Sequence, residues 1–124
     1  RQMWLEVKVT GAGGKVLYKH GGLDRRGRLE KDTVLYNTVF GDGKGNMVMN
    51  VAKAREIIRD KRIEPLKSSR ESFRLPRINE QSVTVEVKLL YRLAPQELVD
   101  AVVGPGKITI PPVLMASDKK KVKI

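Results

Sequence analysis

The stretch Ser82-Val-Thr-Val-Glu-Val-Lys-Leu-Leu-Tyr-Arg92 constrains this chain more than any other. Val83, Val85, Val87, Leu89 and Tyr91 fall on one parity, and Thr84, Glu86, Lys88, Leu90 and Arg92 on the other. Strand side chains alternate between faces, so this spacing predicts a long antiparallel strand with one face in a core and the other near solvent. The remainder of the chain reads as strands and connections that cover the apolar face.

Trp4 to Val9 alternates in the same way, breaks at Gly11-Ala12-Gly13-Gly14, and resumes at Lys15-Val16-Leu17-Tyr18, which predicts a hairpin. A phosphate-cradling loop does not fit there: Val16 follows Lys15 where a Walker loop needs Ser or Thr. Thr33 to Phe40 is a second apolar strand candidate, followed by the glycine-rich turn Gly41 to Asn46 and an extended Met47 to Val51. That turn is a poor calcium loop, because Asp42 is its single carboxylate. Ala52 to Asp60 is rich in helix formers and places Ala54, Ile57 and Ile58 on one helical face, so a short helix is expected, ended by Pro65. Ser72 to Leu75 reads as a short strand stopped at Pro76.

Pro95 to Gly104 is predicted to be a short amphipathic helix, opened by proline and closed by glycine. Lys107 to Ile110 alternates again before Pro111-Pro112 interrupts it. Val113 to Ala116 and the lysine-rich tail Ser117 to Ile124 can supply an edge strand, where lysines discourage unwanted pairing. The expected fold is an all-β, antiparallel immunoglobulin-like β-sandwich of about seven strands, with one or two short helical insertions, in a single domain over residues 1–124. The chain begins with Arg1, and the expectation is a fragment or C-terminal part of a longer polypeptide.

Lys and Arg number 25 against 14 Asp and Glu, a net charge of +11 that favours anionic partners such as nucleic acid, acidic lipid or an acidic protein surface. Cysteine is absent, which excludes disulfides, thiol catalysis, cysteine-ligated zinc and covalent c-type haem attachment within the chain. No run reaches the length of a membrane span, and nothing at the start reads as a signal peptide. Arg25, Arg26 and Arg28 surround Gly27 in a turn able to grip a phosphate or carboxylate through the guanidinium fork. Asp24, Asp32, Asp42, Glu56 and Asp60 show no spacing that suggests a catalytic pair, so the expectation is a protein that is not an enzyme.

Several pieces taken in order carry a resemblance. They are Trp4-Leu5-Glu6-Val7, Gly14 to Tyr18, Gly21-Gly22-Leu23-Asp24, Gly27-Arg28-Leu29, Asp60 to Pro65, Phe73-Arg74-Leu75-Pro76, Val83 to Arg92, and Ile110 to Ala116. In this order the chain resembles the C-terminal, haem-free β-sandwich region of extracytoplasmic multihaem c-type cytochromes. The resemblance implies a periplasmic or extracellular, non-catalytic structural or docking domain of an electron-transfer system. Haem c would then lie in an upstream segment or a partner chain, with none in this one. It also implies that His20, the single histidine, can offer imidazole as an axial ligand to a haem of a neighbouring segment or chain. Family members carry histidines after the second glycine-rich loop, whereas Asn46 to Arg55 has none. Docking candidates are the turn Arg25, Arg26 and Arg28, and the exposed parity residues Lys88 and Arg92. The competing reading is a basic β domain that binds nucleic acid or another polyanion, which the aromatic content of 5% does not favour.

Overall fold

Two valine-rich strands of similar length form the centre of the larger sheet. The computed structural model describes residues 1–124. In it β1 (Gln2–Thr10) pairs antiparallel with β6 (Ser82–Arg92) along its whole length, from Gln2 opposite Arg92 to Thr10 opposite Thr84. β2 (Val16–His20) joins the other side of β1 through the predicted hairpin, and β7 (Val113–Lys123) closes the far edge, giving the order β2-β1-β6-β7. A second antiparallel sheet holds β3 (Thr38–Gly41), β4 (Met47–Val48) and β5 (Glu56–Asp60) in the order β4-β3-β5. The one α-helix, α1 (Gln96–Val103), sits in the connection between β6 and β7, where the proline and glycine signals place it. The architecture is the expected all-β sandwich.

The odd parity of β6 carries part of the apolar core, while Trp4 and Leu90 place the rest on the even-parity face. Val83 is buried on the odd-parity face, and Val7 and Val9 of β1 lie on the same face opposite Val87 and Val85. The irregular segment around Ile63, Ser69, Glu71 and Phe73 crosses this face with Tyr36, leaving a shallow cleft floored by Leu5, Val85, Val87 and Leu89. The even parity changes character along its length. Glu6, Lys8, Glu86 and Lys88 pair across its middle as half-exposed ions. Trp4, Leu90, Gln2 and Arg92, at one end of the same face, are buried.

Four local expectations are corrected. Ala52 to Asp60 is not a helix: Val51–Lys53 forms one 3-10 turn capped by Asn50, and Glu56–Asp60 is β5, paired with β3. Helix propensity is worth only tenths of a kcal/mol per residue, so ladder bonds to β3 outweigh it in so short a segment. The strand expected from Thr33 begins at Thr38; before it, Val34 to Tyr36 bonds along β1, with Leu5 N–H donating to Val34 O and Tyr36 N–H to Met3 O. Ser72 to Leu75 is not in a strand, and Phe73 instead lies against His20 with ring centroids 4.7 Å apart. Lys107 to Ile110 is not in a strand either, because the Gln96 side chain takes its backbone groups: Nε2 donates to Ile108 O and Oε1 accepts from Ile110 N–H.

Candidate docking surfaces around a buried arginine

Arg92 occupies the place where the sequence expectation fails most informatively. It was expected on the exposed parity as a docking residue, yet it is 1 % exposed. Its Nε donates to Gln2 Oε1 at 2.7 Å, its Nη1 donates to Gly27 O, and the guanidinium stands 5.4 Å from the centre of the Trp4 ring. Burial depresses its pKa, and the nearby Glu97 carboxylate opposes that shift. Arg92 Nη2 and Glu97 Oε2 are both buried without a hydrogen-bond partner. Such a group belongs to the interior: it ties the 21–30 loop to the end of the large sheet and is removed from the docking candidates. One sequence signal pointed this way. Leu90 interrupts the polar parity two residues before Arg92, opposite Trp4 in the ladder.

The arginine turn divides its three side chains between two tasks. Asp24 Oδ1 accepts from the backbone N–H of Arg26 at 2.8 Å and of Arg28 at 2.9 Å, closing a tight turn whose Gly27 has φ +76°. These bonds, with that from Arg28 the largest, hold the Asp24 carboxyl below the usual carboxylate range. Arg28 folds inward to Asp100 Oδ2 at 3.4 Å and so anchors the turn on α1. Asp100 is also held low, chiefly by the Gln96 side chain and then by Arg28. Arg25 and Arg26 remain exposed at the tip. Of the three, these two are free to meet a partner.

His20 sits at a seam. β2 ends there, and the Val34–Tyr36 segment takes over along β1. His20 Nε2 accepts the Val34 N–H at 3.1 Å, Trp4 Nε1 donates to Gly21 O at 3.0 Å, and Gly21 turns the chain with φ +79°. An iron ligated through Nε2 would have to displace the Val34 bond. With no cysteine for thioethers and this nitrogen engaged by the backbone, the chain's residues do not fit a resident haem c. None of the His, Asp and Glu side chains gathers into a metal-binding group, and no helix is long and apolar enough to cross a membrane.

Lys88 does lie on the open face of the large sheet, with Nζ 3.6 Å from Glu86 and 4.0 Å from Glu6. Exposed pairs of this kind contribute about 0–1 kcal/mol each and leave the face accessible. The ladders add residues that the sequence reading missed. Lys19 of β2 stands opposite Lys8, Lys8 opposite Glu86, and Glu86 opposite Lys119 of β7; Lys121 and Lys123 continue the same face opposite Thr84 and Ser82. Six lysines (8, 19, 88, 119, 121 and 123) against Glu6 and Glu86 therefore share one side of a four-stranded sheet. No local pattern could have found this group, since strand order alone brings the four segments together.

The chain also exposes more surface than its mass calls for. A compact monomer of 13.9 kDa has about 6,700 Å² of accessible surface. This chain has 9357 Å², roughly 2,700 Å² above that compact-monomer value. Apolar side chains outside any core contribute to it: Leu93, Val102, Ile108, Val113, Leu114 and Met115 are all exposed. An excess of this size exceeds the roughly 800 Å² that one protein contributes to a standard interface.

Comparison with protein-family models and with curated proteins gives no match. Among solved structures, the chain is similar to a penta-haem cytochrome c552 from Thermochromatium tepidum, with a TM-score of 0.66 and 20% identity over 98% of this chain. The similarity spans 30% of that cytochrome's length. At this level of identity the likeness is one of fold.

Proposed function

We propose that this chain is a non-catalytic structural or docking domain of a multihaem cytochrome electron-transfer system, located outside the cytoplasm. The observation that carries the reading is its shared fold with part of a penta-haem cytochrome, over nearly all of its own length. The surface excess supports it as that of a domain built to lie against a neighbour, and the lysine-rich sheet face suits an anionic one. Haem propionates and acidic patches on a cytochrome have that charge. Haem c would be carried by a partner chain or another segment, and this domain would position it without ligating iron.

The proposal includes the absence of catalysis. The carboxylates held low (Asp24, Asp42, Asp60, Glu71 and Asp100) owe their shifts first to hydrogen bonds from residues close by in the chain. The polyanion-binding alternative keeps the support of the net charge of +11, but lacks stacking platforms: Trp4 is fully buried, and Tyr18, Tyr36, Phe40, Phe73 and Tyr91 are half-buried.

The test is the absorption spectrum of natively purified material, together with its intact mass under denaturing conditions. A Soret band is expected, either on a polypeptide heavier than 13.9 kDa or on a haem protein that co-purifies with the chain. Native material without haem in either form would overturn the proposal.

A further inference from the structure

We infer that the free edge of β7 is a strand-addition site for an extended acidic segment of a partner protein. All eleven residues of β7 are exposed, and β6 pairs with one side of it only. Ile124 N–H donates to Gln81 O at 2.9 Å, just beyond the strand's end. Antiparallel alternation then turns the N–H and C=O groups of Asp118, Lys120 and Val122 toward β6, and those of Ser117, Lys119, Lys121 and Lys123 outward. The outward groups form a row of unpaired donors and acceptors of the kind that an added strand completes.

The side chains on this edge state the partner's charge. Lys119, Lys121 and Lys123 project from one face at every second residue, and Lys120 from the other; Asp118 is the single acid of the strand. An incoming strand lies about 4.8 Å away, which brings acidic residues at alternate positions against the first three lysines. A second copy of β7 is the poorer occupant, since it brings four further lysines and a chain of net charge +11 to the same edge. Lysines on an edge also serve to repel unwanted strands, and the distinction is that a partner of opposite charge removes the repulsion. The inference rests on the docking reading above in one respect, that a partner protein exists, and adds where it attaches and with what chemistry.

The experiment titrates the full chain with a blocked ten-residue peptide of alternating glutamate and threonine, followed by fluorescence anisotropy and by amide hydrogen exchange. A control peptide of the same sequence is N-methylated at every residue, so that it keeps its charge and has no N–H on either edge with which to complete a ladder. The expected result is saturable binding of the first peptide and slowed exchange at Lys119, Lys121 and Lys123. Affinity should fall at least tenfold for the N-methylated peptide, for Lys121→Pro, and for the triple variant Lys119→Glu/Lys121→Glu/Lys123→Glu. Equal binding of both peptides would overturn the inference by reducing it to attraction between polyions. So would no binding at low salt, or association of the chain with itself through this edge. A haem-bearing partner that stays bound to the Lys121→Pro variant would sink the edge assignment while leaving the docking reading intact.

Discussion

Replacing Arg92 by methionine should lower stability by about 3 kcal/mol, the largest effect of any single charge removal in this chain. Truncation leaves Gln2 Oε1 and the Gly27 carbonyl without their donor in a buried site. Each such orphan costs about 1–3 kcal/mol, and the lost stacking over Trp4 adds about 1 kcal/mol. Removing Nη2, which already lacks a partner, returns part of that cost. Against a total of roughly 5–15 kcal/mol for a domain of ordinary stability, the variant would still fold but with a much lower urea midpoint. Trp4 is the only tryptophan, so its emission reports the same site. The double variant Gln2→Leu/Arg92→Met should recover about 1 kcal/mol relative to additivity, because both partners of the bond are then absent. A loss below about 1 kcal/mol for Arg92→Met, the size of an ordinary surface substitution, would refute the interior role. Weakened partner binding with unchanged stability would return Arg92 to the docking surface.

Gly21→Ala should be among the most damaging small substitutions, since a Cβ there would collide with the Leu5 carbonyl oxygen in a backbone with φ +79°; circular dichroism should show a large drop in melting temperature. His20→Phe should cost about 1–3 kcal/mol in urea unfolding by leaving the Val34 N–H unpaired, and it should leave the haem content of purified material unchanged. Stability should also fall in acid. Asp24, Asp42, Asp60, Glu71 and Asp100 have folded pKa values below their ordinary ones, so their contribution is present above the unfolded values of 3.8 for Asp and 4.5 for Glu. It disappears as pH falls from there through the folded values. Urea midpoints measured between about pH 6 and pH 2 should decline, and Asp100→Asn should flatten part of that slope.

The hairpin, the long strand and α1 were legible because each is specified within its own dozen residues. Valines at alternate positions of Ser82 to Arg92 suit only a strand with one covered face, and the Gly11–Gly14 break has no other use than a turn. Proline and glycine bracket Gln96–Val103 closely enough to mark both ends. Where local preference and pairing disagreed, pairing prevailed. Glu56–Asp60 lies in a ladder with β3 although its neighbours favour a helix, because ladder bonds formed with distant residues are invisible in the segment itself.

The candidate site depended on tertiary structure more than the fold did. Alternation correctly assigned Arg92 to the parity of Lys88, but only the 21–30 loop and α1, folding over one end of that face, decide that Lys88 meets solvent and Arg92 meets Trp4. Arg28 parts from Arg25 and Arg26 for the same reason, since Asp100 is 72 positions away along the chain. Sequence by itself determined the strand content, the two-faced character of β6 and the excess of positive charge, all of them properties of neighbouring residues or of simple composition. The order β2-β1-β6-β7 determined where the charge collects, because a sheet places residues 19, 8, 86 and 119 side by side at strand spacing whatever their separation in the chain.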